Sequence, residues 1–462
     1  MFKPLFLAAA LSAALAACAA GPDYQRPQLA LPDGQAQAAA DVAGWWRQFQ
    51  EPELDRLIAV ALARNQDLSE ADARLAQAEA LAGIARSQLL PRLDAAADSQ
   101  RQRVSATLPA TAPGGLYDSR DFNLRASWEL DLWGRLRRER EAAVSLAAAS
   151  QASRDGLRLA VAAQVAQTYF QLRAYDAQLE VSRRTLANRR AAATLNEKRF
   201  RQGDASELDW RQAEAEVAVA EASAAQFERS VAQTETALGV LLGREPRQLL
   251  GEGIARGQAL DALSLPPALP SGLPSDLLAR RPDIAASEAG LVAANARIGV
   301  AKAAYFPSIS LTGALGSASP DLRQLFSGPA YVWSFAGNLA APVFNFGQTA
   351  GAVDVASAGQ QQALAQYRKA VQLAFKDAAD ALSAMAAARR VNDAETARVK
   401  ALQRAVRLAT LRYDSGHSAY LEVLDAERGA FQSELSAVDA RLDLFNSAVA
   451  LYKALGGGWR AS

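Results

Sequence analysis

One cysteine, Cys18, and one histidine, His417, limit the chemistry open to this chain of 462 residues. A single Cys and a single His cannot build a Cys/His zinc site, and a lone cysteine forms no disulfide within its own chain. The paired carboxylates lie on charged faces of predicted helices without a catalytic grouping, and the sequence contains no phosphate-binding glycine loop or nucleophile motif. These residue types predict a protein that is not an enzyme and that needs no cofactor or metal.

Cys18 stands where a bacterial lipoprotein signal would place a lipid-modified cysteine. Met1-Phe2-Lys3 is a short basic start, residues 5–17 form an apolar run, and that run ends in Leu15-Ala16-Ala17-Cys18. This order is typical of a bacterial lipoprotein signal, in which the cysteine becomes the lipid-carrying N-terminus. We predict that residues 1–17 are removed and that Cys18 is lipidated. Because residue 19 is Ala rather than Asp, we predict sorting to the outer membrane. The alternative is an ordinary export signal with an incidental cysteine.

Composition and charge narrow the class of protein further. The formal net charge is +1, so the sequence gives no indication of a nucleic-acid partner. Half of the residues are hydrophobic, but much of that half is alanine, which suits closely packed helices better than one thick globular core. No later segment has the uninterrupted apolar run of ~20 residues that a membrane-spanning helix needs. A membrane crossing would therefore have to be made by strands.

The chain contains an internal duplication, visible as matches at two constant offsets. At the first offset, Arg64, Asp67, Leu75, Gly83 and Pro91 match Arg280, Asp283, Leu291, Gly299 and Pro307. At the second and slightly shorter offset, Gly203, Leu208, Ala213 and Glu214 match Gly416, Leu421, Ala426 and Glu427. We therefore predict two repeats, 52–243 and 273–457, with segment 244–272 between them, segment 18–51 before them and a tail, 458–462, after them.

Each repeat is predicted to contain the same elements in the same order. A helical segment (52–90 and 273–305) is followed by two strands (within 92–133 and 307–346), a very long helix (134–200 and 347–412), a turn (201–206 and 413–419) and a shorter helix (206–243 and 420–455). Proline placement supports the long helices, since none lies between Pro113 and Pro246 and none follows Pro342. A helix of this length spans ~100 Å. Two shorter helices laid end to end could therefore pair with it along a rod or a tube wall.

The predicted strands have one apolar and one polar face. Between residues 121 and 132, Phe122, Leu124 and Trp128 share one parity, while Arg125 and Glu129 share the other. Alternation over about a dozen residues is typical of an outer-membrane strand; the alternative is a strand of a soluble sandwich. Four strands cannot close a barrel, since bacterial barrels have at least about eight. Twelve strands from three copies leave a wider lumen than eight from two, which favours a trimer.

Several motifs together resemble the TolC-like outer-membrane efflux proteins, in particular the lipoprotein branch typified by OprM and NodT. They are spread over nearly the whole chain after the signal: Gly21-Pro22-Asp23-Tyr24-Gln25-Arg26-Pro27, Trp45-Trp46, Ser127-Trp128-Glu129-Leu130-Asp131-Leu132-Trp133-Gly134-Arg135, Arg281-Pro282-Asp283-Ile284 and Phe306-Pro307-Ser308-Ile309-Ser310-Leu311. The resemblance implies a mainly α fold with a membrane β-barrel. In that fold, a trimeric 12-stranded β-barrel with four strands per chain is continued by a long periplasmic α-helical barrel.

The same resemblance implies partners and a function. It implies a homotrimer in the outer membrane, docked to a periplasmic membrane-fusion (adaptor) protein and an inner-membrane pump of the RND (resistance-nodulation-division) type. We therefore predict the passive exit duct of a tripartite system that expels toxic compounds. The alternatives are the duct of a type I protein secretion system, which usually lacks the lipid signal, and a periplasmic coiled-coil scaffold lipoprotein.

The turns after the two long helices are the implied docking tips. In the family these turns meet the adaptor, which assigns that role to Gly203, Ser206, Leu208, Gly416, Ser418 and Leu421. Turn chemistry alone also explains the glycines, which allow the left-handed conformation that ends a helix, and the serines, which are candidate N-caps. We predict His417 to be a turn residue.

Acidic residues beside the turns are the implied constriction. The family narrows its closed periplasmic mouth with carboxylates, and the matching residues here are Asp209, Glu422 and Asp425. Glu422 and Asp425 are three positions apart and therefore share a helix face. Threefold symmetry would turn each into a ring of carboxylates that favours cations. The alternative is a solvated helix start, where acids suit the helix dipole.

Overall fold

The computed structural model of the chain describes residues 20–29, 44–104, 115–266 and 281–457. The predicted signal, Cys18 and the tail 458–462 lie outside these residues. The helices are α1 (Pro52–Arg64), α2 (Gln66–Ser87), α3 (Arg135–Gln202), α4 (Glu207–Leu241), α5 (Pro246–Gly251), α6 (Pro282–Ala303), α7 (Gln348–Asp414) and α8 (Tyr420–Ala454). The strands are β1 (Arg92–Val104), β2 (Gly115–Leu130), β3 (Ser308–Ser319) and β4 (Tyr331–Ala340).

The elements of the two halves correspond in their bounds. Both ends of α6 are related to those of α2 by the first repeat offset, and both ends of α8 are related to those of α4 by the second offset. The second offset also relates the starts of the long helices α3 and α7. Glycines at equivalent positions share a positive φ, as in Gly134 (77°) and Gly347 (86°), which each precede a long helix. Only glycine adopts this conformation at little cost, so the duplicated glycines keep the same backbone path in both halves.

The prediction of one helical segment over 52–90 is wrong, because the helix is interrupted at one residue. Asn65 has an extended backbone (ψ 133°) and divides the segment into α1 and α2. Its buried side chain supports this break, because Oδ1 accepts a hydrogen bond from the Leu68 N–H at 3.2 Å and Nδ2 donates to the Leu241 carbonyl at 3.0 Å. Asparagine competes well with helical hydrogen bonding in this way, so its side chain caps the second helix.

The four strands form one antiparallel sheet in the order β1-β2-β3-β4. Its apolar side chains share one face, where Trp128 lies opposite Leu311 and Leu124 lies opposite Leu315. On the polar face, Arg125 approaches the carboxylate of Asp98 at 3.6 Å. β1 and β2 lie within the predicted range 92–133, and β3 and β4 lie within the predicted range 307–346.

The chain divides into two compact units. The first contains the sheet, and its small core is built of alanines that let helices pack closely, such as Ala142, Ala293 and Ala296. The second has an aromatic core. There the rings of Phe170 and Phe445 lie 4.8 Å apart and the rings of Trp45 and Tyr452 stack at 5.5 Å. Among the described helices, none has the length and apolar character needed to cross a membrane.

Candidate functional site

The first predicted tip is the turn between α3 and α4. The Gly203 N–H donates to the Phe200 carbonyl at 3.0 Å and the Asp204 N–H donates to the Arg199 carbonyl at 2.8 Å, with Gly203 at φ 88°. This pair of bonds is the Schellman motif that ends a helix. Ser206 then caps α4: its Oγ accepts from the Asp209 N–H at 3.1 Å, and the Asp209 carboxylate accepts from the Ser206 backbone N–H at 3.4 Å. Asp209 therefore completes a capping box.

The second tip, between α7 and α8, ends its long helix in the same way but starts the next one differently. The Gly416 N–H donates to the Tyr413 carbonyl at 2.9 Å and the His417 N–H donates to the Arg412 carbonyl at 2.8 Å. The N-cap of α8 is Ala419, which has no side-chain oxygen to accept a bond. The expectation that Ser418 caps this helix is wrong, because the helix starts one residue too late. The Ser418 hydroxyl is buried and has no hydrogen-bond partner.

The two tips lie side by side within the second unit. Arg199 joins them, since its guanidinium carbon lies 5.5 Å from the centre of the Tyr413 ring and its Nη2 lies 3.9 Å from the Asp414 carboxylate. Tyr413 in turn packs against Tyr420, with ring centres 5.4 Å apart. Burial raises the pKa of the Tyr420 hydroxyl to about 12, so this side chain stays neutral. The tips are thus one packed structure with a neutral aromatic centre.

The three predicted constriction carboxylates have different surroundings. Glu422 and Asp425 are exposed on one face of α8 and line an open groove together with Arg412 and Arg428. Arg412 approaches the Glu422 carboxylate at 3.7 Å, a distance that permits a weak surface ion pair. Asp209 does not line this groove, and its carboxylate is held by Ser206. The structure therefore brings Glu422 and Asp425 together and places Asp209 apart from them.

Two leucines at the tips are exposed at equivalent positions of the two repeats. Leu208 is 64% exposed in the first turn of α4, and its repeat counterpart Leu421 is 54% exposed in the first turn of α8. Both helices therefore present an apolar side chain at the same position beside their turns. The predicted tip residues Gly203, Ser206 and Gly416 are also exposed.

Comparison with known proteins identifies the architecture. The sequence profile of the outer membrane efflux protein family matches residues 57–244 and 273–457, once for each half of the chain. The chain belongs to this family. It is 38% identical over 473 residues to the toluene efflux pump outer membrane protein TtgF of Pseudomonas putida, a match covering 99% of this chain and 97% of that one.

Solved structures of outer membrane channels agree with the assignment of this chain to the efflux protein family. The CmeC outer membrane channel of Campylobacter jejuni matches with a TM-score of 0.89 at 27% identity, over 96% of this chain and 95% of that one. The open state of the MtrE outer membrane channel of Neisseria gonorrhoeae matches with a TM-score of 0.85 at 36% identity, over 96% and 98% of the two chains. The resemblance to outer-membrane efflux proteins and the mainly α fold with a four-stranded sheet are confirmed. The efflux protein is an outer-membrane efflux duct.

Sequence reasoning missed a buried charge cluster in the efflux protein. Nη1 of Arg189 lies 2.8 Å from the Glu216 carboxylate, with both side chains about nineteen-twentieths buried, and Nη2 of Arg428 lies 2.6 Å from the same carboxylate. Burial raises the pKa of the neighbouring Glu427 carboxyl, Arg189 opposes that rise, and the charge of Glu216 adds to it.

One signal in the sequence could have revealed this cluster. The repeat counterparts of Arg189 and Glu216 are Leu402 and Gly429, which lie close together in the second half. A charged pair therefore replaces an apolar contact at equivalent positions. Such a departure from the repeat marks a position where the first half has a charged pair and the second half has none.

Proposed function

We propose that three copies of this efflux protein form the exit duct of a tripartite system that expels small toxic compounds. The partners would be a periplasmic adaptor and an inner-membrane RND-type pump. The main observation in support of a trimer is that the sheet has two unpaired edges. Within the described strands, β1 pairs with β2 alone and β4 pairs with β3 alone. Long free edges invite pairing with another chain. The apolar side chains of β4, such as Trp333 and Phe335, are strongly exposed as well.

Three copies fit this open sheet better than two. Four strands per chain require at least two copies to reach the ~8 strands of the smallest closed sheets in outer membranes. Eight strands leave an interior filled by side chains, whereas twelve leave room for a lumen. The test is native mass spectrometry of detergent-extracted protein with its lipid removed. We expect the mass of a trimer, and a monomeric protein would overturn the proposal.

The lipid anchor is a separate part of the proposal. Cys18 is the only cysteine and ends the apolar start of the chain, so we propose that it carries acyl chains in the outer membrane. Labelling cells with a radioactive or clickable palmitate should mark the wild-type protein and leave the Cys18→Ala variant unmarked. Label on that variant would show that Cys18 is not the lipidation site.

The substrates are proposed from the known substrate of one relative. Because TtgF is a toluene efflux protein, we propose toluene and similar small apolar compounds as cargo. A wide, wet passage selects little by itself, so the pump would set the chemical range. A strain lacking this protein should grow poorly on solid medium under toluene vapour, and the gene should restore its growth. Equal growth of both strains would remove toluene from the proposal.

The adaptor would dock on the tip residues Gly203, Ser206, Leu208, Gly416, Ser418 and Leu421. The exposed leucines supply the apolar contact, and the glycines and Ser206 fix the turns that present them. The double variant Leu208→Asp/Leu421→Asp should keep its trimer and its conductance in lipid bilayers but lose toluene resistance in cells. Leu250→Asp is the matched control, since Leu250 is exposed in α5, away from both turns. Full resistance in the tip variant would contradict docking through these leucines.

The constriction would be formed mainly by Glu422 and Asp425, with Asp209 contributing from the other turn. Threefold copies of two exposed carboxylates on one helix face concentrate negative charge and favour cations. In planar bilayers under a potassium chloride gradient, Glu422→Gln/Asp425→Asn should shift the reversal potential toward zero. Glu207→Gln, an exposed acid beside the first turn, is the control and should leave it unchanged. An unchanged reversal potential in the double variant would remove these residues from the mouth.

A further inference from the structure

The two ends of the sheet differ in charge on its apolar face. Alternate residues of each strand lie on this face, such as Leu93 of β1, Trp128 of β2 and Leu311 of β3. Within the described strands, its charged residues are three arginines and one aspartate: Arg101, Arg103, Asp118 and Arg120. All four lie at the end of the sheet farthest from the helices that precede β1 and follow β2. The nearby carboxylates of Asp98 and Asp121 lie on the polar face.

The strand register places the three arginines close together. Arg101 lies opposite Asp118, and Arg103 lies two residues farther along β1 on the same face. Arg120 lies opposite Ser99, so it is a diagonal neighbour of Arg101. Diagonal neighbours on one face are ~7–8 Å apart, within reach of long side chains. One ligand therefore has access to all three guanidinium groups.

The contacts of these arginines in the described residues leave an excess of positive charge. Nε of Arg101 lies 3.5 Å from the Asp118 carboxylate, and the Arg101 side chain is 68% exposed, so this ion pair is weak. Nη1 of Arg120 donates to the Pro320 carbonyl, which is uncharged. Arg103 is exposed. Three guanidinium groups beside one carboxylate give this part of the face a charge that suits an anion.

The arginines begin at the height where the apolar part of a membrane ends. On this face of β2, Arg120 is ten residues away from Leu130, the residue nearest the helices. In an extended strand tilted by ~40°, ten residues rise ~26 Å along the membrane normal. The apolar band of an outer-membrane sheet is ~25 Å tall. Arg120 is therefore at the level of the lipid headgroups, and Arg101 and Arg103 lie beyond it.

Aromatic side chains mark the same level independently. Phe326, in the connection between β3 and β4, packs edge-on against Phe122 with ring centres 6.0 Å apart and is 75% exposed. Tyr331 of β4 lies in the same row as Phe122, through Ser317 of β3, and is also exposed. Aromatic residues form girdles where such sheets leave the apolar layer. The arginines therefore lie on the headgroup side of a girdle.

We propose that Arg101, Arg103 and Arg120 bind the phosphate groups of lipopolysaccharide, the lipid that forms the outer leaflet of outer membranes. Guanidinium groups donate paired hydrogen bonds to phosphate oxygens, and the acyl chains of the same lipid would cover the apolar rows below. The inference rests on the proposed duct for its orientation, with the long helices in the periplasm. The helix end of this face has no charged residue in the described strands, so the anionic lipid is bound in one leaflet only.

Binding of lipid A, the phosphorylated membrane anchor of lipopolysaccharide, tests the proposal. Native mass spectrometry would follow titrations of the detergent-extracted protein with bisphosphorylated lipid A, with lipid A lacking its phosphates, and with inorganic phosphate as competitor. The test variant is Arg101→Gln/Arg103→Gln/Arg120→Gln. The matched control is Arg92→Gln/Arg125→Gln, which removes exposed arginines from the polar face of the same two strands.

We expect the wild-type protein to bind bisphosphorylated lipid A in preference to the form without phosphates. The triple variant should bind it at least about tenfold more weakly, because each basic residue near an anionic lipid surface contributes about fivefold. The polar-face control should bind like the wild type. Asp118→Asn should strengthen binding by up to about fivefold, because it removes the carboxylate beside Arg101.

Equal binding by the wild type and a triple variant that is still trimeric would overturn the lipid site and leave the duct intact. Full displacement of lipid A by inorganic phosphate would also overturn it, because the arginines would then be a general anion site. If the triple variant does not assemble, Asp118→Asn decides, and an unchanged affinity for lipid A would refute the proposal. A monomeric wild-type protein, visible in the same spectra, would instead overturn the proposed trimer.

Discussion

Asn65 and Arg281 occupy equivalent positions in the two halves of the chain, and each donates a side-chain hydrogen bond to the last residue of the helix that closes its own half. Nδ2 of Asn65 reaches the Leu241 carbonyl at 3.0 Å, and Nη1 of Arg281 reaches the Ala454 carbonyl at 3.1 Å. The last carbonyls of a helix have no partner within it. The duplication has therefore kept the contact while changing the residue that makes it.

Removing the Asn65 side chain should destabilise the second unit. Asn65→Ala loses the bond to Leu241 and the cap on Leu68, both formed by a buried side chain. Leaving buried polar groups unpaired costs about 1–3 kcal/mol, so the thermal midpoint in detergent, followed by circular dichroism, should fall. Gln66→Ala is the control, because the neighbouring Gln66 is exposed. Equal midpoints for both variants would refute the role given to Asn65.

The Arg189–Glu216 pair should be far more sensitive than a surface pair. Glu216→Ala leaves Arg189 charged and buried, and breaking such a pair costs about 3–5 kcal/mol. The matched control is Glu221→Ala, which breaks an exposed pair with Arg190 that has an N···O distance of 3.1 Å and should cost less than about 1 kcal/mol. Thermal midpoints of both variants test the contrast.

A double variant distinguishes the effect of an unpaired charge from the effect of lost side-chain volume at Arg189 and Glu216. Arg189→Met/Glu216→Leu removes both charges while keeping much of the volume, and it should recover most of the loss caused by Glu216→Ala. A double variant as unstable as the single one would mean that the cluster is needed for more than mutual neutralisation. Arg428 remains in both variants, so its effect cancels in the comparison.

The serines at the two tips should respond differently to alanine. Ser206→Ala removes a capping box and should lower the unfolding free energy by about 1 kcal/mol. Ser418→Ala removes a buried hydroxyl that has no hydrogen-bond partner and should be neutral or slightly stabilising. Hydrogen exchange at the first turns of α4 and α8 locates each effect. Faster exchange in α8 of Ser418→Ala would contradict the assignment of Ala419 as the cap.

Stability should depend on pH through Glu427. Burial raises the pKa of this carboxyl above its ordinary value of 4.5, so the folded protein holds the proton more tightly than the unfolded chain does. The resulting stabilisation is complete below the ordinary pKa and is lost as pH rises through the folded one. Glu427→Gln should therefore raise the thermal midpoint most at pH 8, and the gain should shrink as pH falls toward the ordinary pKa. A gain that does not vary with pH would contradict this account.

The long helices could be predicted because the sequence patterns that indicate them extend over many residues. Absence of proline and the repeat offsets placed α3, α4, α7 and α8 close to their observed ends. The break at Asn65 was missed because an asparagine inside a helical pattern also occurs in unbroken helices, and only its contact with Leu241 decides. Local patterns do not contain that contact.

The turn residues of the site could be predicted where their hydrogen bonds are local in the sequence. They could not be predicted where helix packing determines the residue at which a helix starts. Gly203 and Gly416 end helices whatever surrounds them, and Ser206 finds Asp209 within the first turn of the same helix. Ser418 looked equally suitable as a cap, but α8 starts one residue later than that interpretation needs. The docking and constriction roles came from resemblance and remain predictions, because a single chain contains neither adaptor nor threefold axis.

The N-terminal segment 20–29 has a consequence for the order in which the protein is assembled. Its contacts are with residues synthesised much later: the Tyr24 hydroxyl donates to the Glu288 carboxylate at 3.0 Å, and Asn295 donates to the Pro22 carbonyl at 2.8 Å. Because a chain is synthesised from its N-terminal end, segment 20–29 can make these two contacts only after α6 has been synthesised. The two hydrogen bonds join residues that are 264 and 273 positions apart, so the start of the described chain depends on non-local contacts for its place.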